Sequence, residues 1–93
     1  MGASVDIEYT VQMWEEGNQF IAHAMPLDVM SSGPSPEEAR KALDEAVTLF
    51  LETAADSGTF NDILEEAGYQ FDQGRWLSPS WVSKERHSAT FGV

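Results

Sequence analysis

Two histidines, sixteen acids and a scatter of serines are the side chains in this 93-residue chain that could do acid–base, metal or nucleophilic chemistry. The acids come in adjacent pairs, Glu15/Glu16, Glu37/Glu38, Asp44/Glu45 and Glu65/Glu66. Neighbours in sequence diverge on a helix or turn, so such pairs do not share a proton; they suit solvated faces and helix starts, where the dipole favours negative charge. His23 shares a strand face with Ile21 and Met25 and reads as a structural histidine with a hydrogen-bond partner, not as a base. His87 has no second ligand at metal spacing. No serine sits in a G-x-S-x-G elbow or an S-x-x-K setting, and the seven glycines form neither a phosphate loop nor a dinucleotide fingerprint. With no cysteine, disulfides, thiolate metal sites and cysteine nucleophiles drop out. The chain is therefore expected to be neither an enzyme nor the holder of a metal or cofactor.

The chemistry that remains is recognition. Trp14 ends an alternating run and breaks its polar side, while Trp76 and Trp81 flank Ser78-Pro79-Ser80. Two readings stay open: these rings complete the core or cover a sheet edge, or they anchor a protein partner, where Trp is over-represented. Stacking on nucleic-acid bases would need positive charge between the aromatics. Five bases against sixteen acids, a net charge of −11, supply the opposite. The same balance argues against direct nucleic-acid binding and against docking on an anionic membrane. The charge is also uneven: residues 1–74 hold fifteen acids and two bases, a net −13, and residues 75–93 hold three bases and one acid, a net +2. Such asymmetry marks an interaction tail or a cationic segment that folds back on an acidic body.

The elements that must position these residues follow from periodicity. Val5, Ile7, Tyr9, Val11 and Met13 alternate with Asp6, Glu8, Thr10 and Gln12, which predicts a strand over residues 4–14 with one wet face. Glu15-Glu16-Gly17-Asn18 has turn chemistry, and a second strand is expected over 19–25 until Pro26 ends it. A short third strand is expected over 28–32. Ser35-Pro36-Glu37-Glu38 is a helix start, with Ser35 as N-cap, Pro36 in the first helical position and Glu38 in a capping box. Ala39, Ala42, Leu43, Ala46, Val47, Phe50 and Ala54 then trace one face of an amphipathic helix over 36–55. Leu49 and Leu51 widen that stripe and predict deeper burial at its end. Thr59 opens a second, shorter helix over 60–67, with Asp62 as its box partner. Residues 75–93 are expected to be an irregular tail or an edge strand, with a final strand over 87–93 as one form of it. A single domain results. Its class is α+β, an antiparallel sheet packed on one main helix in the order β-β-β-α-(α)-β.

The segment from Tyr9 to Tyr69 resembles the HicB family of antitoxins. The likeness rests on an ordered set: a first strand ending in a polar, glycine-containing turn; Leu27-Asp28-Val29-Met30-Ser31-Ser32-Gly33 before the helix; Ser35-Pro36-Glu37-Glu38-Ala39 at its start; Leu43-Asp44-Glu45-Ala46-Val47, continuing to Phe50-Leu51-Glu52, within it; and Ile63-Leu64-Glu65-Glu66-Ala67-Gly68-Tyr69 after it. The resemblance implies a partial ribonuclease-H-like fold without nuclease activity. It further implies a protein that binds a small basic toxin ribonuclease, HicA-like, and covers its catalytic histidine. Many members carry a C-terminal DNA-binding module; residues 70–93 show no helical pattern for one.

The charge suits that reading, since an RNA-cleaving toxin presents a cationic surface and its inhibitor gains association rate from an anionic one. The expected partner-facing residues are Asp6 and Glu8 on the wet strand face, Trp14 at its end, Glu15 and Glu16 in the turn, and Asp28. Glu38 is expected to be taken up by the helix cap. A homodimer or higher oligomer is expected as well, because a chain with a modest core, a net charge of −11 and neither disulfide nor metal gains stability by association. The alternative is a solitary homo-oligomeric or ligand-binding module of the same fold with no toxin. No apolar run is long enough to cross a membrane, and the N-terminus lacks a signal peptide's basic and apolar regions, so the cytoplasm is the expected compartment.

Overall fold

In the computed structural model, residues 5–92 are described. Eight elements follow in the order β1 (Asp6–Ile7), β2 (Thr10–Glu16), β3 (Gln19–Met25), β4 (Val29–Gly33), α1 (Pro36–Asp56), α2 (Phe60–Glu66), β5 (Gln70–Asp72) and β6 (Arg75–Leu77). They form two three-stranded sheets, β2-β3-β4 and β1-β6-β5, and the class is α+β. All pairings are antiparallel except β1 with β6, which is parallel.

The first alternating run is not one strand. It breaks at Glu8 and Tyr9, and the two halves serve different sheets. The cause lies in backbone hydrogen bonds. The Glu8 N–H donates to the Trp76 carbonyl at 3.1 Å, and the Glu8 carbonyl accepts from the Tyr69 hydroxyl, so this stretch belongs to the β6 side. Pairing with β3 begins only at Thr10, opposite Met25, and then runs through Glu16, opposite Gln19. The strand therefore continues two residues beyond the expected end, and Gly17 and Asn18 alone make the turn. Gly17 holds φ at +61°, which glycine adopts without steric penalty. Residue 4, the expected strand start, lies outside the described residues.

Period-two alternation separates the faces of β2-β3-β4. Ala22 and Ala24 are fully buried against α1, which packs across β3 and β4 with Ala39, Leu43 and Val47. Small side chains on the strand let the helix lie close. The tightest approach is at the end of β4: a Cβ on Gly33 would stand 2.7 Å from the Ala39 nitrogen and 2.9 Å from the Glu38 carbonyl carbon. The N-cap is as expected, with the Glu38 N–H donating to Ser35 Oγ at 3.1 Å and Ser35 Oγ donating back to the Glu38 carboxylate at 3.2 Å. At the other end the expectation of deeper burial is corrected. Leu49 is 64% exposed and Leu51 only half-buried, because at about 100° per residue both lie off the buried line through Leu43, Val47 and Ala54, Leu49 further than Leu51.

Thr59 does not cap α2 with its side chain; its hydroxyl turns back to the Ala54 carbonyl of α1 at 3.4 Å. The expected irregular tail is corrected at its start alone, since residues 78–92 have no strand or helix. Residues 75–77 form the central strand of the second sheet, not an edge, and join β5 through Gln73 and Gly74, whose φ values of 50° and 79° make a two-residue hairpin turn. Trp76 explains why that strand is internal. It is buried among Phe60, at 6.2 Å and 74°, and Phe71, at 5.0 Å and 56°. No final strand forms over residues 87–92, and residue 93 lies outside the described residues.

Candidate partner-binding surface

Opposite the face that α1 covers, β2-β3-β4 presents a face with no helix on it. Strand register places Gln12 beside His23 and Met30, and Trp14 beside Ile21 and Ser32, with Thr10 and Met25 at the far end. This outer face mixes apolar and polar side chains, and two of its large apolar ones are open: Met30 is 57% and Trp14 36% exposed. His23 lies at its centre. Its Nε2 is 2.6 Å from Asp28 Oδ1, and its ring meets Trp14 edge-on with centroids 6.2 Å apart. Asp28 reaches it from the β3–β4 turn, where φ of 62° is a left-handed conformation that Asp tolerates. A turn aspartate thus fixes the imidazole, and the imidazole props the indole.

This arrangement fits the structural reading of His23. Its side chain is 17% exposed, and among the described residues its one side-chain hydrogen bond is to Asp28. A histidine–aspartate pair does nucleophilic work only with a hydroxyl or thiol in reach. Two hydroxyls flank His23 diagonally in register, Thr10 and Ser32; neither bonds to it among the described residues, and Thr10 accepts a hydrogen bond from Trp81 Nε1 at 3.1 Å. Among the described residues no group of three or more His, Asp or Glu could hold a metal ion.

The six residues singled out in the sequence fall into two regions. Trp14, Glu15 and Glu16 occupy the last turn of β2, with both carboxylates exposed, and Asp28 stands at the opposite end of the same sheet with 79% of its side chain exposed. Asp6 and Glu8 lie away from them, with the second sheet. Asp6 pairs in register with Arg75. Glu8 is not free of structural duty: its Oε1 accepts from the Ser78 N–H at 3.2 Å and from Ser78 Oγ at 3.0 Å, and its Oε2 is 4.0 Å from Arg75 Nη2. These bonds hold the chain where it leaves β6, so Glu8 is a fastener rather than a free acid. Asp28, too, has a duty, through His23.

Sequence reasoning missed Met30 and the role of Trp81. Met30 sits in a strand too short to show alternation by itself. Trp81 follows Pro79 in a stretch with no period at all, yet it returns to β2 and closes a shallow pocket of about 210 Å³ with Gln12, Met25, Val82 and Lys84. Trp76, by contrast, is core.

Comparison with protein-family models, with curated proteins and with solved structures found no match.

Proposed function

We propose that this chain is an antitoxin-like protein of the HicB type, which binds a small basic toxin ribonuclease and masks its catalytic surface. The observation that carries the reading is the company Trp14 keeps: an exposed aromatic, held by His23, with the free carboxylates of Glu15 and Glu16 next in the chain and Asp28 on the same sheet. A ribonuclease that must attract phosphates offers cations, and a cluster of exposed carboxylates steers it into encounter while a pre-set indole supplies apolar contact area. In this reading the chain does no chemistry of its own and works in the cytoplasm. Among the described residues no helix is long and apolar enough to cross a membrane.

Recovery of the tagged chain from its source cells is expected to bring down a small basic protein, in a complex that loosens as salt rises. Recovery without a basic partner contradicts the proposal. A second reading, a solitary homo-oligomeric module, is favoured by one feature, the apolar side chains exposed on the outer face.

A further inference from the structure

After β6 the chain runs as an extended arm, residues 78–92, with no strand or helix. It begins on the outer face, where Trp81 is tied to Thr10, and then leaves the body. Large apolar side chains ride on it without cover: Trp81 is 57%, Phe91 79% and Val82 99% exposed. The radius of gyration, 15.8 Å, exceeds the roughly 12 Å of a compact chain of this length. Large apolar side chains exposed together on a segment without secondary structure mark a surface that a partner buries.

The charges say what that something is. Lys84 and Arg86 make no ion pair among the described residues. Glu85, the arm's one acid, is already engaged, accepting from Ser83 Oγ at 2.7 Å and lying 2.9 Å from His87 Nε2. The outer face has the complementary composition, with Trp14 and Met30 exposed and the carboxylates of Glu16 and Asp28 at its two ends. Arm and face belong to one chain, and the arm starts on the face it would complement. A two-fold axis therefore satisfies both at once, each copy's arm crossing the other's sheet.

We propose that the arm docks on the outer face of a second copy, forming an arm-exchanged homodimer in which Val82 and Phe91 pack near Trp14 and Met30, and Lys84 and Arg86 meet Glu16 and Asp28. This does not rest on the proposed toxin partner, because the test uses this chain alone. Sedimentation equilibrium of the full chain is expected to give twice the 10.3 kDa chain mass, with association weakening as salt rises. Both the arm variant Val82→Ser/Phe91→Ser and the face variant Met30→Lys are expected to weaken association by about tenfold or more. Leu49→Ser, at an exposed position on α1 away from the face, is expected to leave it unchanged. Circular dichroism of each variant reports that it is folded. A chain that stays monomeric up to about 1 mM overturns the proposal, whether its arm folds back on its own sheet or awaits a foreign protein. So does a dimer indifferent to the arm or to the face variant, or one that only Leu49→Ser dissolves.

Discussion

Tyr9 and Tyr69, the only two tyrosines, tie the two sheets and α1 together through their hydroxyls. Tyr9 donates to Asp44 Oδ1 at 2.7 Å, and Tyr69 donates to the Glu8 carbonyl at the break between β1 and β2. Burial pushes both phenols up from 10 to about 12, with the Asp44 carboxylate adding to the effect on Tyr9 and that of Glu8 to the effect on Tyr69. A raised folded-state value means that the fold favours the neutral phenol. That contribution is fully present below pH 10 and is lost as pH climbs through about 12. Ultraviolet titration of tyrosinate is expected to show no midpoint at the ordinary value for either residue, with unfolding accompanying ionisation. A normal midpoint for one of them means that its hydroxyl is free. His23 and Asp28 teach a related lesson about single residues. The sequence marks His23 as structural, but its partner is five residues away across a turn, and no spacing rule announces that pair.

At the scale of elements, the join between β4 and α1 is the least forgiving place. Gly33 has ordinary φ, so its need is for space, and Gly33→Ala drives a methyl into the backbone at Ala39. Thermal or denaturant unfolding is expected to show a loss of about 1–3 kcal/mol, and a neutral substitution would contradict the close approach. Leu43, fully buried on the inner face of α1, is expected to cost about 2–5 kcal/mol as Leu43→Ala. The helix α1 and the strand β3 are also the most legible elements in sequence. Ser35-Pro36 and the 3.6-residue spacing through Ala54 located α1 to within a residue, and the alternation of 19–25 located β3. What was not legible depended on distant partners. The run through Val5 and Met13 has one period, but only Trp76, some seventy residues away, decides that it splits between sheets. The hairpin of β5 and β6 has three residues per strand, too few to show a period. Leu49 adjoins the helical stripe closely enough to look buried, but it lies at the stripe's flank, away from the line through Val47 and Ala54, and is exposed. For the site, Trp14, Glu15 and Glu16, expected from residue type to face a partner, are exposed, while Glu8 is claimed by Ser78 and Arg75 from the far end of the chain.

For the whole molecule, the two proposals give the acidic body and the basic arm a single face with two uses. The net −11 argues against direct nucleic-acid binding, and the fold sets exposed carboxylates, Glu16 and Asp28 among them, at the ends of the outer sheet face. Self-association through the arm and capture of a basic protein draw on the same residues, so the two are expected to compete: Val82→Ser/Phe91→Ser should strengthen apparent binding of the toxin by removing an occupant of its site. The central claim is that Glu15 and Glu16, beside Trp14, receive a small basic toxin. Calorimetric titration of that toxin with the folded double variant Glu15→Lys/Glu16→Lys tests it most directly. Binding weakened by about tenfold or more, with a reduced dependence on salt, is the result expected; affinity and salt dependence equal to those of the parent chain would contradict it.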